Sequence, residues 1–222
     1  MSVLAKAEIL RRLKLKVSDD ESLIITPLLR PEETLDADSV DVRLGSYFLF
    51  PRTPPVSVVI PSPEISEGTY TRVHVPLGRS LVVPAHQTVL GATLEFIKLP
   101  YDVSGQILTK SSVARTFTLI ETAPWIHPLY RGCLTLEIAN VSNSAIKLQP
   151  GRAIGQLILL LNSGAETPAK MKAAYFGPIY PEPPKFSDPK TELALIGVEY
   201  REEPPRVVPT RPDSSRPGRF PR

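Results

Sequence analysis

Short runs in which apolar and polar residues alternate follow one another from about residue 23 to residue 161. Turn-forming residues separate the runs, and this pattern is typical of β-strands. Many closely spaced short strands favour an all-β barrel or sandwich, since no helical segments alternate with them as a parallel α/β sheet requires. The predicted strands are residues 39–44, 47–50, 56–60, 70–75, 80–83, 88–96, 105–108, 116–122, 133–139 and 153–160.

The first fifteen residues predict a short amphipathic helix, because apolar residues recur there at helical spacing. A packing helix with a solvated basic face is favoured over a helix that binds a membrane or RNA. The apolar stripe consists of Val3, Ala7, Leu10 and Leu13, and the basic residues around it are Lys6, Arg11, Arg12 and Lys14.

Proline is abundant, with 25 residues, and it is concentrated towards the C-terminus. Because proline interrupts helices and central strands, a helix bundle is not expected. The chain becomes polar after about Asn162, and the last residues are rich in arginine and proline. We therefore predict a folded domain over residues 1–186 and an extended Pro/Arg-rich extension over residues 187–222, with a short apolar stretch at 193–198 that docks on the domain.

Charge and cysteine content exclude several classes of protein. The net charge is +3, from 26 basic and 23 acidic residues, which does not indicate a nucleic-acid-binding protein. No apolar run is long enough to span a bilayer, so no membrane partner is expected. A single cysteine, Cys133, cannot form a disulfide within the chain, and a reducing cytoplasm is therefore the default location.

Several well-known catalytic motifs are missing. A zinc-dependent deaminase needs a Cys-x-x-Cys pair, which one cysteine cannot supply, and His74, His86 and His127 lack the spacing of zinc ligands. The phosphate-binding P-loop, the dinucleotide-binding glycine motif and the hydrolase nucleophile elbow are also absent from the sequence.

Two cations and two hydroxyl groups lie within the six residues of Lys110-Ser111-Ser112-Val113-Ala114-Arg115, between two predicted strands. Such groups suit a polyphosphate, although a solvated loop has the same composition.

Glu137 lies inside an apolar strand. Alternation assigns Leu134, Leu136 and Ile138 to one face and Cys133, Thr135, Glu137 and Ala139 to the other. A carboxyl group among small side chains could line a pocket and exchange protons, or it could face solvent from an edge strand.

A turn at Pro150-Gly151 precedes a strand that contains Gly155. Glycine in a strand indicates that another group approaches closely. The adjacent Gln156 could reach a phosphate or cap a strand edge.

Five blocks of sequence resemble the dCTP deaminase and dUTPase superfamily in order and spacing. The resemblance covers roughly residues 1–186. The blocks are Val40-Asp41-Val42-Arg43-Leu44-Gly45, Lys110 to Arg115, Thr122-Ala123-Pro124-Trp125-Ile126-His127 with Gly132, Leu136-Glu137-Ile138 with Asn140, and Pro150-Gly151 with Ile154-Gly155-Gln156-Leu157.

The resemblance implies a distorted β-barrel or jelly-roll subunit of the dUTPase-like type, with a short N-terminal helix and an extended C-terminal tail. It also implies a homotrimer with active sites between subunits. Mg²⁺ would arrive bound to the triphosphate of dCTP or dUTP, and no zinc would take part.

The resemblance also implies roles for individual residues. Glu137 would move protons between the attacking water and the leaving ammonia, Ser111 and the backbone of Ala123 would position the water, and Arg115 would steady the site. The residues expected to bind the substrate are Lys110, Ser112, Trp125, His127, Gln156 and Tyr175.

Three departures from the family pattern stand out. His127 occupies a position where the family usually has aspartate, which questions diphosphatase activity more than deamination. The stretch Ala174-Tyr175-Phe176-Gly177-Pro178 lacks the polar lid side chains of the family, and Thr109 replaces the usual glycine.

The leading hypothesis is hydrolytic deamination of dCTP to dUTP and ammonia. A bifunctional deaminase and dUTP diphosphatase, or a plain dUTPase, is the enzymatic alternative. A non-catalytic deoxynucleotide-binding trimer is the alternative of another class.

Overall fold

Strands dominate the structure, a computed structural model that describes residues 2–52, 69–120, 125–165 and 177–185. Three short helices accompany thirteen strands within these ranges. In chain order the strands are β1 (Ser2–Val3), β2 (Ile24–Thr26), β3 (Ser39–Arg43), β4 (Tyr47–Pro51), β5 (Tyr70–His74), β6 (Leu81–Val83), β7 (Thr88–Lys98), β8 (Val103–Thr109), β9 (Thr118–Ile120), β10 (Trp125–Ile126), β11 (Arg131–Asn140), β12 (Ile146–Leu148) and β13 (Ala153–Leu161), and the helices are α1 (Lys6–Leu13), α2 (Pro31–Thr34) and α3 (Ser111–Ala114).

The strands form two large antiparallel sheets and a small one. In the first sheet the order is β1-β13-β8-β10, and β3 also pairs with β13. In the second sheet the order is β5-β4-β7-β11-β9, and β2 also pairs with β7. Strands β6 and β12 form the small sheet. The predicted mainly β fold is therefore confirmed.

The core lies between the inner faces of the two large sheets. Five core side chains are fully buried: Val42 and Leu157 from the first sheet, and Phe48, Leu136 and Ile138 from the second. On β11 the buried residues alternate with half-buried ones, as a strand with one core face requires. Burial of these apolar side chains is the main favourable contribution to folding.

Two registers position the residues of interest. Gln156 on β13 lies opposite Leu108 of β8 on one side and opposite Asp41 of β3 on the other. Glu137 on β11 lies opposite Leu90 of β7, and the next residue, Ile138, lies opposite Ile120 of β9.

Eight of the predicted strands are present with ends that differ by no more than two residues from the prediction. The predicted strand 116–122 begins later, at Thr118, because the turn after α3 occupies the residues before it, and residues 121 and 122 lie outside the described residues. The strand predicted at 56–60 lies outside the described residues. Strands β1, β2, β10 and β12 were not predicted, since runs of two or three residues carry too little alternation.

The buried face of α1 differs from the predicted stripe. Val3 belongs to β1 and Ala7 is exposed, whereas Ile9 and Arg12 are buried. The guanidinium group of Arg12 donates hydrogen bonds of 2.8 and 2.7 Å to the two carboxylate oxygens of Asp102. The predicted solvated basic face is therefore wrong at Arg12, because this carboxylate compensates its charge.

Residues 177–185, which we name the strap, lie beside the first half of β11. The Gly177 amide donates to the Arg131 carbonyl (2.8 Å), and the Cys133 amide donates to the Pro178 carbonyl (2.7 Å). Further along, the Glu182 amide donates to the Thr135 hydroxyl (3.1 Å). Thr135 and Glu137 are on the same face of β11, so the strap contacts the face that carries Glu137.

The strap is anchored by an aromatic cluster. The Tyr180 ring lies edge-on to Tyr47, with centroids 4.6 Å apart, and Tyr47 stacks on His74 at 4.6 Å. The Arg72 guanidinium lies 5.8 Å from the centre of the Tyr180 ring, within reach of a cation–π interaction.

All described residues belong to one compact unit, Met1–Lys185. The predicted extension 187–222 and the apolar stretch 193–198 lie outside the described residues, so the predicted boundary stays a prediction. None of the helices in the described ranges is long and apolar enough to cross a membrane.

Candidate active site

The basic loop of the sequence forms one short turn between the two large sheets. Strand β8 ends at Thr109, Lys110 is extended, and α3 continues into Arg115. The Thr109 hydroxyl accepts a 2.8 Å hydrogen bond from the Ile120 amide, and the Lys110 amide donates to the Ile154 carbonyl (3.0 Å). The turn is thus fixed to β9 on one side and to β13 on the other.

The polar side chains of this turn are accessible. Ser111, Ser112 and Arg115 are exposed, and Lys110 is half-buried. Two hydroxyl groups and two cations on a single turn can donate several hydrogen bonds to phosphate oxygens. The structure therefore brings together four of the residues that the sequence predicted, at the place where β8 leaves the first sheet.

Lys110 already has an anionic partner, the Asp41 carboxylate on β3. Asp41 lies opposite Gln156 in the β3–β13 register, so Gln156 belongs to the same group of side chains. Sequence reasoning missed this role for Asp41, although alternation in the block of residues 40–45 indicates a side chain that points away from the core.

A cavity of about 320 Å³ adjoins this ion pair, and its lining includes Lys6, Asp36, Asp41 and Lys110. Glu32 and Glu33 add two more carboxylates to the lining. Carboxylates outnumber lysines there, so the charge of the cavity does not favour a polyphosphate. The exposed serines of the turn are the better contact for phosphate groups.

Glu137 is half-buried on the outer face of the second sheet, away from the core face that holds Leu136 and Ile138. Ala139 and Thr135, its neighbours on that face, are also half-buried. Strand β9 lies between β11 and the basic turn, because Ile120 pairs with Ile138 while its amide bonds to Thr109. One strand therefore separates Glu137 from the turn within a single chain.

Trp125 and His127 lie at the edge of the first sheet, on β10 and just after it. Trp125 on β10 pairs with Gln106 of β8 and is 39% exposed, and His127 is exposed just after β10. Two further predicted site residues, Ala123 and Tyr175, lie outside the described residues. The predicted residues thus form one cluster suited to phosphate, around Lys110 and Gln156. Glu137 and the Trp125–His127 pair lie apart from this cluster.

Among the described residues, Glu95 is a carboxyl group with a clearly raised pKa; it is buried and lies on β7. Burial raises the pKa of Glu95, and hydrogen bonds from the Arg43 amide (2.8 Å) and guanidinium (3.1 Å) oppose this shift. Arg43 also donates to the Thr34 hydroxyl (2.9 Å). Because this network ties β3 and α2 to β7, we assign Glu95 a structural role.

Among the described residues, no group of three or more His, Cys, Asp and Glu side chains is arranged to hold a metal ion. Burial is the main cause that raises the pKa of the Cys133 thiol, and the nearby Glu95 carboxylate raises this pKa further. A buried thiol with a raised pKa is a poor nucleophile, so Cys133 has a packing role.

Comparison with known proteins identifies the family. The sequence model of the family described as "dCTP deaminase-like" matches residues 3–161. This chain belongs to that family. The match includes the basic turn, Glu137 and Gln156, and it ends where β13 ends.

Curated members of the dCTP deaminase-like family match over most of their length. The protein of Rhodococcus opacus named "dCTP deaminase, dUMP-forming" is 39% identical over 159 residues, which are 69% of this chain and 84% of that protein. The protein of Natronomonas pharaonis named "dCTP deaminase" is 34% identical over 185 residues, 81% of this chain and 92% of that protein.

A solved structure supports the fold. The 2'-deoxycytidine 5'-triphosphate deaminase of Agrobacterium tumefaciens superposes with a TM-score of 0.55 at 22% identity. The alignment covers 72% of this chain and 48% of that one, so this chain spans about half the length of the Agrobacterium protein. The dUTPase-like deaminase fold predicted from the sequence is confirmed.

Proposed function

We propose that this protein hydrolyses dCTP to dUTP and ammonia. The observation that carries the proposal is that, in a chain of the dCTP deaminase-like family, one exposed turn presents Lys110, two serines and Arg115 one strand away from Glu137. A turn of cations and hydroxyl groups suits a triphosphate, and a half-buried carboxylate suits proton transfer. The two chemistries together fit hydrolysis at a nucleotide base.

The turn would bind the triphosphate. Lys110 and Ser112 would donate to phosphate oxygens, with Gln156 beside them, and we expect the phosphates to share Lys110 with Asp41. The polar side chains of the turn itself are cations and hydroxyl groups, not carboxylates that would ligate a metal ion, which fits Mg²⁺ that arrives already bound to the triphosphate. When bound, Mg²⁺ would neutralise part of the phosphate charge.

The deamination itself would use Glu137 and water. Water adds to C4 of the cytosine ring while Glu137 takes one of its protons, and the carboxylic acid then returns a proton to the amino group. The bond from C4 to the amino nitrogen breaks, ammonia leaves, and the remaining hydroxyl proton passes to the ring nitrogen N3 as the C4 carbonyl forms. Ser111 and the Ala123 backbone would orient the water, Arg115 would steady the carboxylate, and Trp125, His127 and Tyr175 would contact the nucleoside.

A second candidate is a bifunctional enzyme that continues to dUMP and pyrophosphate. The Rhodococcus relative and a relative from Dictyoglomus turgidum, 30% identical over 160 residues, are both named as dUMP-forming. His127 argues for the single-step reaction, because an imidazole is a weaker orienting group for a second water than the aspartate carboxylate that the family usually has at this position.

Incubation of the purified protein with dCTP and Mg²⁺, with separate assays of ammonia and pyrophosphate, tests both candidates. Ammonia without pyrophosphate supports the proposal, and stoichiometric pyrophosphate selects the bifunctional enzyme. Glu137→Gln should lower ammonia release by at least about a hundredfold while leaving the melting temperature unchanged, because the amide cannot carry the proton. Binding of dCTP with no turnover in the native protein would select the non-catalytic alternative.

We also propose that the active protein is a cytoplasmic homotrimer whose sites lie between subunits. The separation of Glu137 from the basic turn supports sites of this kind, because a neighbouring subunit can supply the missing part. No nucleic-acid or membrane partner is proposed.

A further inference from the structure

Lys110 is paired with a carboxylate that belongs to a rigid part of the fold. Its ammonium group forms an ion pair with Asp41, and the side chains of Lys110 and Asp41 are 31% and 17% exposed. Asp41 lies on β3 between Val40 and Val42, which are both fully buried. Lys110 instead carries its charge at the end of a flexible four-carbon stem, at the residue before α3. A movement that separates the pair is therefore a movement of Lys110.

The ion pair borders the acidic cavity described above. Asp41 and Lys110 both line this cavity of about 320 Å³, together with three further carboxylates. Among the described residues, its lining includes neither the two serines of the basic turn nor the arginine. The other lysine of the lining, Lys6, donates to the Leu35 carbonyl (2.6 Å). In this structure the charge of Lys110 is thus matched by Asp41 beside the cavity, and the exposed hydroxyl groups of the turn lie elsewhere.

The proposed reaction changes only the base of the nucleotide. Because dCTP and dUTP carry the same triphosphate, contacts with the phosphates contribute equally to the binding of substrate, transition state and product. Phosphate affinity beyond what substrate binding needs would retain the product and would not accelerate the chemical step. A carboxylate that competes for Lys110 lowers this affinity.

We propose that Asp41 competes with the phosphates for Lys110 and thereby limits the affinity for the product, an inference that rests on the proposed function. A phosphate oxygen gains the full attraction of the ammonium group only as the contact with Asp41 weakens, and the carboxylate also repels the phosphates. Asp41 restricts the rotamers of Lys110 as well, which favours binding. The repulsion is the larger effect, because a triphosphate carries several charges.

The test measures the binding of inorganic tripolyphosphate by calorimetry in the presence of Mg²⁺, because this probe has no base and needs no turnover. Asp41→Asn should bind tripolyphosphate about fivefold more tightly than the native protein does, as expected when a partly exposed ion pair no longer competes. The dissociation constant of dUTP should fall by the same factor. The melting temperature measured without tripolyphosphate should fall slightly, because the variant lacks the ion pair.

Asp36→Asn is the matched control for charge. Asp36 lines the same cavity, but it is exposed and its carboxylate accepts a hydrogen bond from the Ala37 amide (2.9 Å). Because this variant removes one negative charge without freeing Lys110, its affinity for tripolyphosphate should change by less than about twofold. In a Lys110→Met background, Asp41→Asn should no longer tighten binding, since the competition requires the ammonium group. Asp41→Ser should behave like Asp41→Asn.

If the native protein releases no ammonia from dCTP, the proposed function fails, and the tripolyphosphate titrations still decide the role of Asp41. Weaker or unchanged binding of tripolyphosphate in both Asp41 variants would overturn the inference, because Asp41 would then position Lys110 for the phosphates or lie away from them. Equal tightening in Asp36→Asn, or tightening that persists in the Lys110→Met background, would overturn it too, since the effect would then be one of general charge.

Discussion

Glu8 is held between two guanidinium groups at the surface of α1. Arg11 donates two hydrogen bonds of 2.7 Å to its carboxylate, and Arg12 donates a third of 2.8 Å. The hydrogen bonds from Arg11 are the main cause that lowers the pKa of Glu8 to about 2. A carboxyl group whose pKa is lowered by folding contributes stability at pH values above its unfolded pKa, and this contribution is lost as the pH falls.

Glu8→Gln should therefore destabilise the protein at neutral pH and lose its effect between about pH 4.5 and pH 2, the interval between the ordinary and the folded pKa. Thermal unfolding of both proteins over this range measures the difference. Glu33→Gln is the control, since its ion pair with Arg30 has both partners exposed and should give little difference at any pH. A Glu8→Gln difference that grows as the pH falls would contradict the assignment.

The Arg12–Asp102 pair has side chains only 5% and 11% exposed. Removing Arg12 leaves the Asp102 carboxylate without its charged partner, so Arg12→Met should cost about 3–5 kcal/mol in the free energy of unfolding. Asp102→Asn should cost less, because Arg12 keeps its ion pair with Glu8. The double variant Arg12→Met/Asp102→Leu should recover most of that loss, because two apolar residues avoid the desolvation cost. Urea denaturation of the three variants tests this, and additive losses would show that the pair is not coupled.

Single residues also show where sequence reasoning works and where it stops. The outward direction of Glu137 could be predicted because a strand has only two faces. The burial of Arg12 could not, since its partner Asp102 is 90 residues away in sequence. The pairing of Lys110 with Asp41 is equally remote, across 69 residues.

At the scale of elements, the contact between the strap and β11 depends on Gly132. Its φ is 144°, and a Cβ atom there would lie 2.5 Å from Cδ of Pro178. Gly132→Ala should therefore displace the strap from β11. Hydrogen exchange of the Cys133 amide, which donates to the Pro178 carbonyl, should become faster.

Gly78→Ala is the control for this prediction. Gly78 also has a left-handed φ, 82°, but no atom lies within 4 Å of a Cβ added there. Both variants carry the backbone cost of alanine, and only Gly132→Ala adds the clash. Equal exchange of the Cys133 amide in the two variants would mean that the strap does not need the space at Gly132.

The long strands were predictable and the short ones were not, for one physical reason. Strands β7, β11 and β13 each have enough residues to show alternation against the core. Strands β10 and β12 are held by the register of β8 and β6, a tertiary effect that local pattern does not contain. The loop that contains α3 could be recognised from its two serines after a lysine. Nothing in the sequence indicated that the loop would be helical.

At the scale of the whole molecule, the separation of Glu137 from the basic turn leads to a prediction about mixed assemblies. In the proposed trimer, one subunit would supply Glu137 and a neighbour would supply Ser111 and Arg115 to each site. Glu137→Gln and Arg115→Ala should each be nearly inactive alone. After the two variants are unfolded, mixed in equal amounts and refolded, about a quarter of the sites should receive both native residues if subunits combine at random.

Ammonia release by the mixture should therefore recover to roughly a quarter of the native rate, whereas mixing without unfolding should recover little. The double variant Glu137→Gln/Arg115→Ala mixed with native protein is the control for assembly, because it dilutes native subunits without adding a complementary one. If each chain contains a complete site, the mixture of single variants stays inactive at every ratio. Ammonia release, measured as a function of the mixing ratio, therefore decides whether Glu137 and the basic turn of one site come from the same chain or from two chains.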